Sequence, residues 1–164
     1  MKKILITGGK GQLAKTFKSI ETNYTSFKFV IKSKQDLDIT NYESLADEIL
    51  QNNYDFIINC AAYTDVNKAE EFKDRAVSVN SNSVKQILEL INDTNCKLIQ
   101  FSSDYVFDGF KETEYSETDE VSPVNNYGYS KYLAEKYIIN STSQSVIIRT
   151  SWLFSEFNIN FVKK

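Results

Sequence analysis

An α/β fold with a doubly wound parallel sheet is what this sequence predicts, on three observations. Short, continuous runs of β-branched and aromatic residues recur at 3–7, 28–31, 56–59, 97–101 and 145–149, the pattern of parallel strands covered on both faces. Helical patterns fall between successive runs, so the connections read as crossovers rather than hairpins. Three of the five glycines lie within residues 8–11, directly after the first run, where such folds turn from strand to helix beside a ligand.

Each helix follows from its local sequence. The first, over 12–20, starts where the glycines stop. The second, over 42–50, has Asn41 before it, a short polar side chain suited to capping orphan amides. A long helix is predicted over 75–91. The last, over 127–139, lies beyond Pro123, Asn125 and Asn126, and its Leu133, Ala134, Tyr137 and Ile138 form an apolar stripe that packs on the sheet. Residues 112–120 carry five acids and no base and read as a solvated loop.

Composition narrows the function. Hydrophobic residues at 41% and charged residues at 25% fit an ordinary globular interior. A net charge of -3 with no basic stripe argues against a general nucleic-acid binder. No apolar run approaches the roughly 20 residues that span a bilayer, and residues 4–6 are too short for a signal-peptide core. Cys60 and Cys96 match no metal or redox spacing, so reduced core thiols in a cytoplasmic protein, without a metal site, are expected.

The glycines carry the first chemical signal. Residues 7–14 (TGGKGQLA) fit a G-x-x-G-x-x-A pattern opening a helix. Gly8 permits a tight turn, Gly11 a close backbone approach to a pyrophosphate, and Ala14 close packing of helix on strand. The fold class is therefore a Rossmann-type dinucleotide-binding domain. The acid that usually binds the ribose after the second strand is missing, and Lys32, Ser33 and Lys34 stand there. NADPH is expected ahead of NADH, which stays open.

The second signal is Tyr127 and Lys131, four apart on one helix face, about 25 residues after Ser103. A lysine cation beside a phenol lowers its pKa and improves it as an acid, so ketone reduction needs neither metal nor histidine. Two other Tyr-x3-Lys pairs, Tyr24/Lys28 and Tyr132/Lys136, occur in the chain, and only the middle one follows a strand carrying a serine partner.

Residues 3–14 (KILITGGKGQLA), 36–40 (DLDIT), 59–70 (NCAAYTDVNKAE), 102–109 (SSDYVFDG), 127–131 (YGYSK) and 149–152 (RTSW) together resemble the dTDP-4-dehydrorhamnose reductase family of extended short-chain dehydrogenase/reductases. The resemblance implies an NAD(P)H-dependent oxidoreductase reducing the C4 ketone of dTDP-4-dehydro-L-rhamnose to dTDP-L-rhamnose. It places Ser103, Tyr127 and Lys131 as the catalytic trio, with Tyr127 as proton donor; serine stands where family members often carry threonine. Gly8, Gly11, Gln12 and Leu13 would hold the diphosphate. Asp38 and Ile39 would flank the adenine, and Ala61, Ala62 and Tyr63 would line the cofactor. Thr64, Val66, Ser103 and Trp152 would approach the sugar.

The resemblance also implies that residues 1–164 form the dinucleotide domain without the last strands and the carboxy-terminal substrate lobe. Residues 160–164 look like the start of a further helix. A nucleotide-sugar partner is expected, without nucleic acid or membrane, and an apolar sheet edge that pairs with another chain or copy. Two alternatives stay open: a non-catalytic dinucleotide-binding regulatory subunit, and another nucleotide-sugar epimerase or reductase.

Overall fold

The computed structural model describes residues 1–163. Five strands, β1 (Lys2–Ile6), β2 (Phe27–Ile31), β3 (Phe56–Asn59), β4 (Lys97–Ser103) and β5 (Ser145–Thr150), form one sheet in the order β2-β1-β3-β4-β5. Every pairing is parallel, because every connection carries the chain back across the sheet. The strand order reverses between β1 and β3, which is where open α/β sheets hold ligands beyond their carboxyl ends.

Two cores sandwich the sheet. On one face Leu5, Ile57 and Leu98 pack beneath α2 (Tyr42–Asn52), α5 (Ser83–Ile91) and α6 (Asn126–Ile139), which contribute Leu45, Ile87 and Ala134 among others. On the other, Ile4, Ile6 and Ile58 meet α1 (Gln12–Ile20) through Ala14, and Phe17 stands edge-on to Phe29 at 6.2 Å. Asn41 caps α2 by accepting the Ser44 amide.

Three expectations need correction. Strand β5 is not covered on both faces: Ile147 reaches the core, while Val146 and Ile148 are 55% and 38% exposed. It is an edge strand, and its outer face is apolar, the kind of surface that invites pairing. The helix predicted over 75–91 begins earlier and is not uniform: α4 (Lys73–Val77) runs into a π-helical turn at Ser78–Asn82 before α5. At 160–163 there is a turn, in which the Lys163 amide bonds the Asn160 carbonyl at 3.0 Å; residue 164 lies outside the described residues.

One helix, α3 (Val66–Glu71), was not anticipated. Its Glu70 accepts both the amide and the side chain of Asn126, each at 2.8 Å, so it holds the start of α6. Cys60 and Cys96 are free thiols, and burial pushes them up to about 12 and about 11. Among the described residues no helix is long and apolar enough to cross a membrane.

Candidate active site

The glycine loop is fixed by contacts only glycine allows. Gly8 has φ +67°, and a Cβ there would lie 2.7 Å from the Ala61 nitrogen at the end of β3. The Gly11 amide turns back to the Gly8 carbonyl at 2.7 Å, and the Gly9 amide bonds Lys32 at 2.8 Å. Gly11 caps α1 without any side-chain hydrogen bond, so the first amides of α1 are left with the positive end of the helix dipole facing outward. The buried Oε1 of Gln12 has no partner. An open cradle and an uncapped helix start, both offering backbone N–H donors, suit a dinucleotide diphosphate.

Beyond the loop, a cavity of about 780 Å³ runs along the carboxyl ends of the strands. Gly8, Gly11, Gln12 and Leu13 line it beside Asp38 and Ile39, and its far end gathers Ser103, Tyr127 and Lys131. Ala61, Ala62, Thr64, Val66 and Trp152 line it as well. Of the site residues that the family resemblance implies, Tyr63 alone does not. Its amide and carbonyl are both bonded by Asn80, at 2.8 and 3.0 Å, and its ring lies under the Arg75 guanidinium at 5.8 Å.

At the Asp38 end, burial opposes ionisation of the carboxyl. Hydrogen bonds from the Thr40 hydroxyl and amide, with Lys34 at 3.4 Å, outweigh it and hold the group below its ordinary value. The two lysines after β2 divide. Lys34 lines the cavity together with Lys10, while Lys32 turns away to pair with Glu48 at 3.0 Å. Lys10, between the glycines, is thus the second cation at this end. Residues 153–158 fold across the loop: Gln12 donates to the Leu153 carbonyl at 2.8 Å, and Asn158 to the Lys10 carbonyl at 3.0 Å. Trp152 is 71% exposed at the cavity rim.

Ser103 ends β4, where its hydroxyl donates to Asp104 at 2.9 Å and accepts the Tyr105 amide at 3.2 Å. Asn125 caps α6 by accepting the Gly128 amide at 2.7 Å, and that start sets Tyr127 edge-on to Tyr105 at 5.6 Å. Gly128 makes this seat: a Cβ there would lie 2.0 Å from the Tyr105 carbonyl oxygen. We expect Gly128→Ala to shift the first turn of α6 and destabilise the fold by about 1–3 kcal/mol, the usual scale of overpacking. Chemical denaturation checks this, and an unchanged midpoint would contradict it.

The electrostatics differ from the expectation. Burial raises the Tyr127 phenol, against a lowering contribution from Ser103, and Asp104 adds to the rise. Burial also lowers the Lys131 amine to about 8, opposed by the charge of Glu135. Burial is the dominant influence on the phenol, and the lysine amine is engaged with the Phe101 carbonyl at 2.5 Å. In this state the phenol is held as the acid.

The other tyrosine–lysine pairs lie elsewhere. Tyr24 is exposed ahead of β2, and Lys136 lies over the ring of Tyr132 at 5.7 Å. Two buried residues near the site escaped sequence reading. Asn80 in the π-helical turn donates to Ser130 at 2.9 Å, next to Lys131. Glu135, 1% exposed, takes Arg149 on both oxygens at 2.7 and 3.0 Å. A polar run in mid-helix, residues 78–83 (SVNSNS), was the one visible hint; Glu135 gave none, since it sits beside the apolar stripe as any surface glutamate does.

The fold and cavity define a Rossmann-type dinucleotide-binding domain. More specifically, the chain belongs to the RmlD substrate binding domain family, whose model matches residues 1–164. It is 37% identical over 163 residues to dTDP-4-dehydrorhamnose reductase of Aggregatibacter actinomycetemcomitans, covering 99% of this chain and 55% of that protein. It is 30% identical over 161 residues to dTDP-4-keto-6-deoxy-D-glucose reductase of Streptomyces niveus, covering 98% of this chain and 56% of that protein. Among solved structures, dTDP-4-dehydrorhamnose reductase of Bacillus anthracis str. Ames in complex with NADP superposes with a TM-score of 0.94 at 35% identity, over 99% of this chain and 58% of that one. The chain spans about half the length of the curated relatives it matches.

Proposed function

We propose that this chain carries the cofactor site and acid–base residues of an NADPH-dependent reductase, which converts the C4 ketone of dTDP-4-dehydro-L-rhamnose to the alcohol of dTDP-L-rhamnose. The observation that carries this is the placement of Ser103, Tyr127 and Lys131 at one end of a cavity whose other end is the glycine loop. The α1 amides, with Gln12 and Leu13, would hold the diphosphate, and Lys10 and Lys34 suit a 2′-phosphate near Asp38 and Ile39.

When bound, the dihydronicotinamide supplies hydride. The residues supply the rest. Tyr127, held protonated by its buried setting, donates its proton to the ketone oxygen as charge develops there. Ser103 shares that oxygen as a second donor. Lys131 binds the nicotinamide ribose. Thr64, Val66 and Trp152 orient the sugar. The Streptomyces relative favours a second substrate, a dTDP-4-keto-6-deoxy-D-glucose, reduced by the same groups. Assay of both keto sugars with NADPH and NADH tests the reading; tighter binding of NADH, or dehydration in place of reduction, would contradict it.

A pH signature follows from Lys131. The amine is charged below about 8, so NADPH affinity is expected to weaken as pH rises through that value. Folding moves the other way. The native lysine loses its proton before the unfolded one, so the unfolded state binds more protons from about 8 up to the ordinary lysine range, and stability rises across that window. Fluorescence titration of NADPH beside thermal melts from pH 7 to 10 measures both; parallel trends would contradict the assignment.

A further inference from the structure

Thr7, Asn59 and Gln100 stand abreast across β1, β3 and β4, one step past the Ile6–Ile58 pairing and at the Asn59–Gln100 pairing. Two residues earlier the same face carries Leu5, Ile57 and Leu98 in the core. All three polar residues are as buried as those, at 1%, 1% and 2% exposed. Polar side chains in such a place cost free energy unless they are partnered.

They form an unbroken row. The Thr7 hydroxyl donates to Asn59 at 2.6 Å, the Asn59 amide to Gln100 at 2.8 Å, and the Gln100 amide to the Phe101 carbonyl at 3.0 Å. The Thr7 hydroxyl also accepts the Ala61 amide at 3.2 Å, directly behind Gly8. The far end meets the active site, because the same Phe101 carbonyl accepts the Lys131 amine at 2.5 Å. Lys131 is 4% exposed. An ammonium has three donors; this carbonyl takes one and so sets the direction of the other two.

We propose that the row is a positioning device for Lys131. Gln100, tethered through Asn59 to Thr7, fixes the Phe101 carbonyl and thereby aims the lysine amine at the nicotinamide half of the cofactor. Gln100 is a positioning residue: it acts through Lys131 and touches neither cofactor nor substrate. The inference rests on the dinucleotide reading of the cavity.

Two probes separate positioning from simple stability. NADPH carries the nicotinamide ribose, and adenosine 2′,5′-bisphosphate does not. Gln100→Met, which fills the space without either hydrogen bond, is expected to weaken NADPH binding about tenfold, the scale of one buried hydrogen bond. Binding of adenosine 2′,5′-bisphosphate should change less than about twofold, and in a Lys131→Ala background the Gln100→Met effect should vanish. Gln100→Glu, which keeps the acceptor for Asn59 and draws the amine toward a carboxylate, is the second variant if methionine prevents folding; the same selective loss is expected. Equal weakening of both probes, no weakening of either, or a loss that persists without Lys131 overturns the proposal. Wild-type protein that binds neither probe is a separate result, and it overturns the cofactor reading itself.

Discussion

Tyr127→Phe is expected to lower the rate of ketone reduction by about 10²–10⁴-fold, the range for loss of a positioned acid, while NADPH affinity stays within about twofold. The substitution removes one oxygen and little else. The ring keeps its edge-on contact with Tyr105 at 5.6 Å, and Asn125 and Gly128 still start α6 as before. What disappears is the Tyr127 phenol, which its burial holds in the acid form. The Ser103 hydroxyl remains and can donate a hydrogen bond, but its proton is bound far too tightly to be released at neutral pH. Steady-state turnover and NADPH titration of the same preparation check the split. Phenylalanine enzyme at wild-type rate would remove Tyr127 from the chemistry.

The second large effect is on stability. Arg149→Met is expected to cost about 3–5 kcal/mol, the range for stripping a buried charge of its partner. Arg149 grips both oxygens of Glu135, donates to the Glu117 carbonyl at 3.3 Å and lies over the Phe107 ring at 4.9 Å. Phe107 in turn stacks on Tyr115 at 4.2 Å, so one side chain joins β5, α6 and the acidic loop. Native domains hold only about 5–15 kcal/mol in reserve, and the loss is a large share of that. Glu135→Leu/Arg149→Met should recover most of it, because an apolar pair has no charge to leave stranded. Denaturant melts of the single and double variants test this cycle; a single variant within about 1 kcal/mol of wild type would show the pair to be solvated.

What sequence could reveal divides along physical lines. The strand runs and the starts of α1, α2 and α6 were readable because glycine, Asn41 and Asn125 act locally. The ligand edge was readable because glycines at 8–11 and serines at 102–103 mark where the strands end. Helix α3 was not, since six mostly polar residues with one buried alanine have no period to detect. The π-helical turn carries a distant contact, Asn80 reaching Tyr63 and Ser130, which no local pattern encodes. The missing cover on β5 is likewise a matter of neighbours, as its run of Val146, Ile147 and Ile148 reads like any buried strand. The phenol's acidity was misjudged for the same reason: spacing puts Lys131 near Tyr127, but burial and the Phe101 carbonyl decide where the amine points.

The most direct measurement is where the nicotinamide ring sits. At 18.9 kDa the chain suits solution NMR, and nuclear Overhauser contacts from bound NADP⁺ report positions without requiring turnover. Contacts from the nicotinamide protons to the Tyr127 ring and the Ser103 side chain, with adenine protons against Ile39, are the expected result. Adenine contacts at Tyr127 in their place, or no saturable binding of NADP⁺, would contradict the assignment of this cavity.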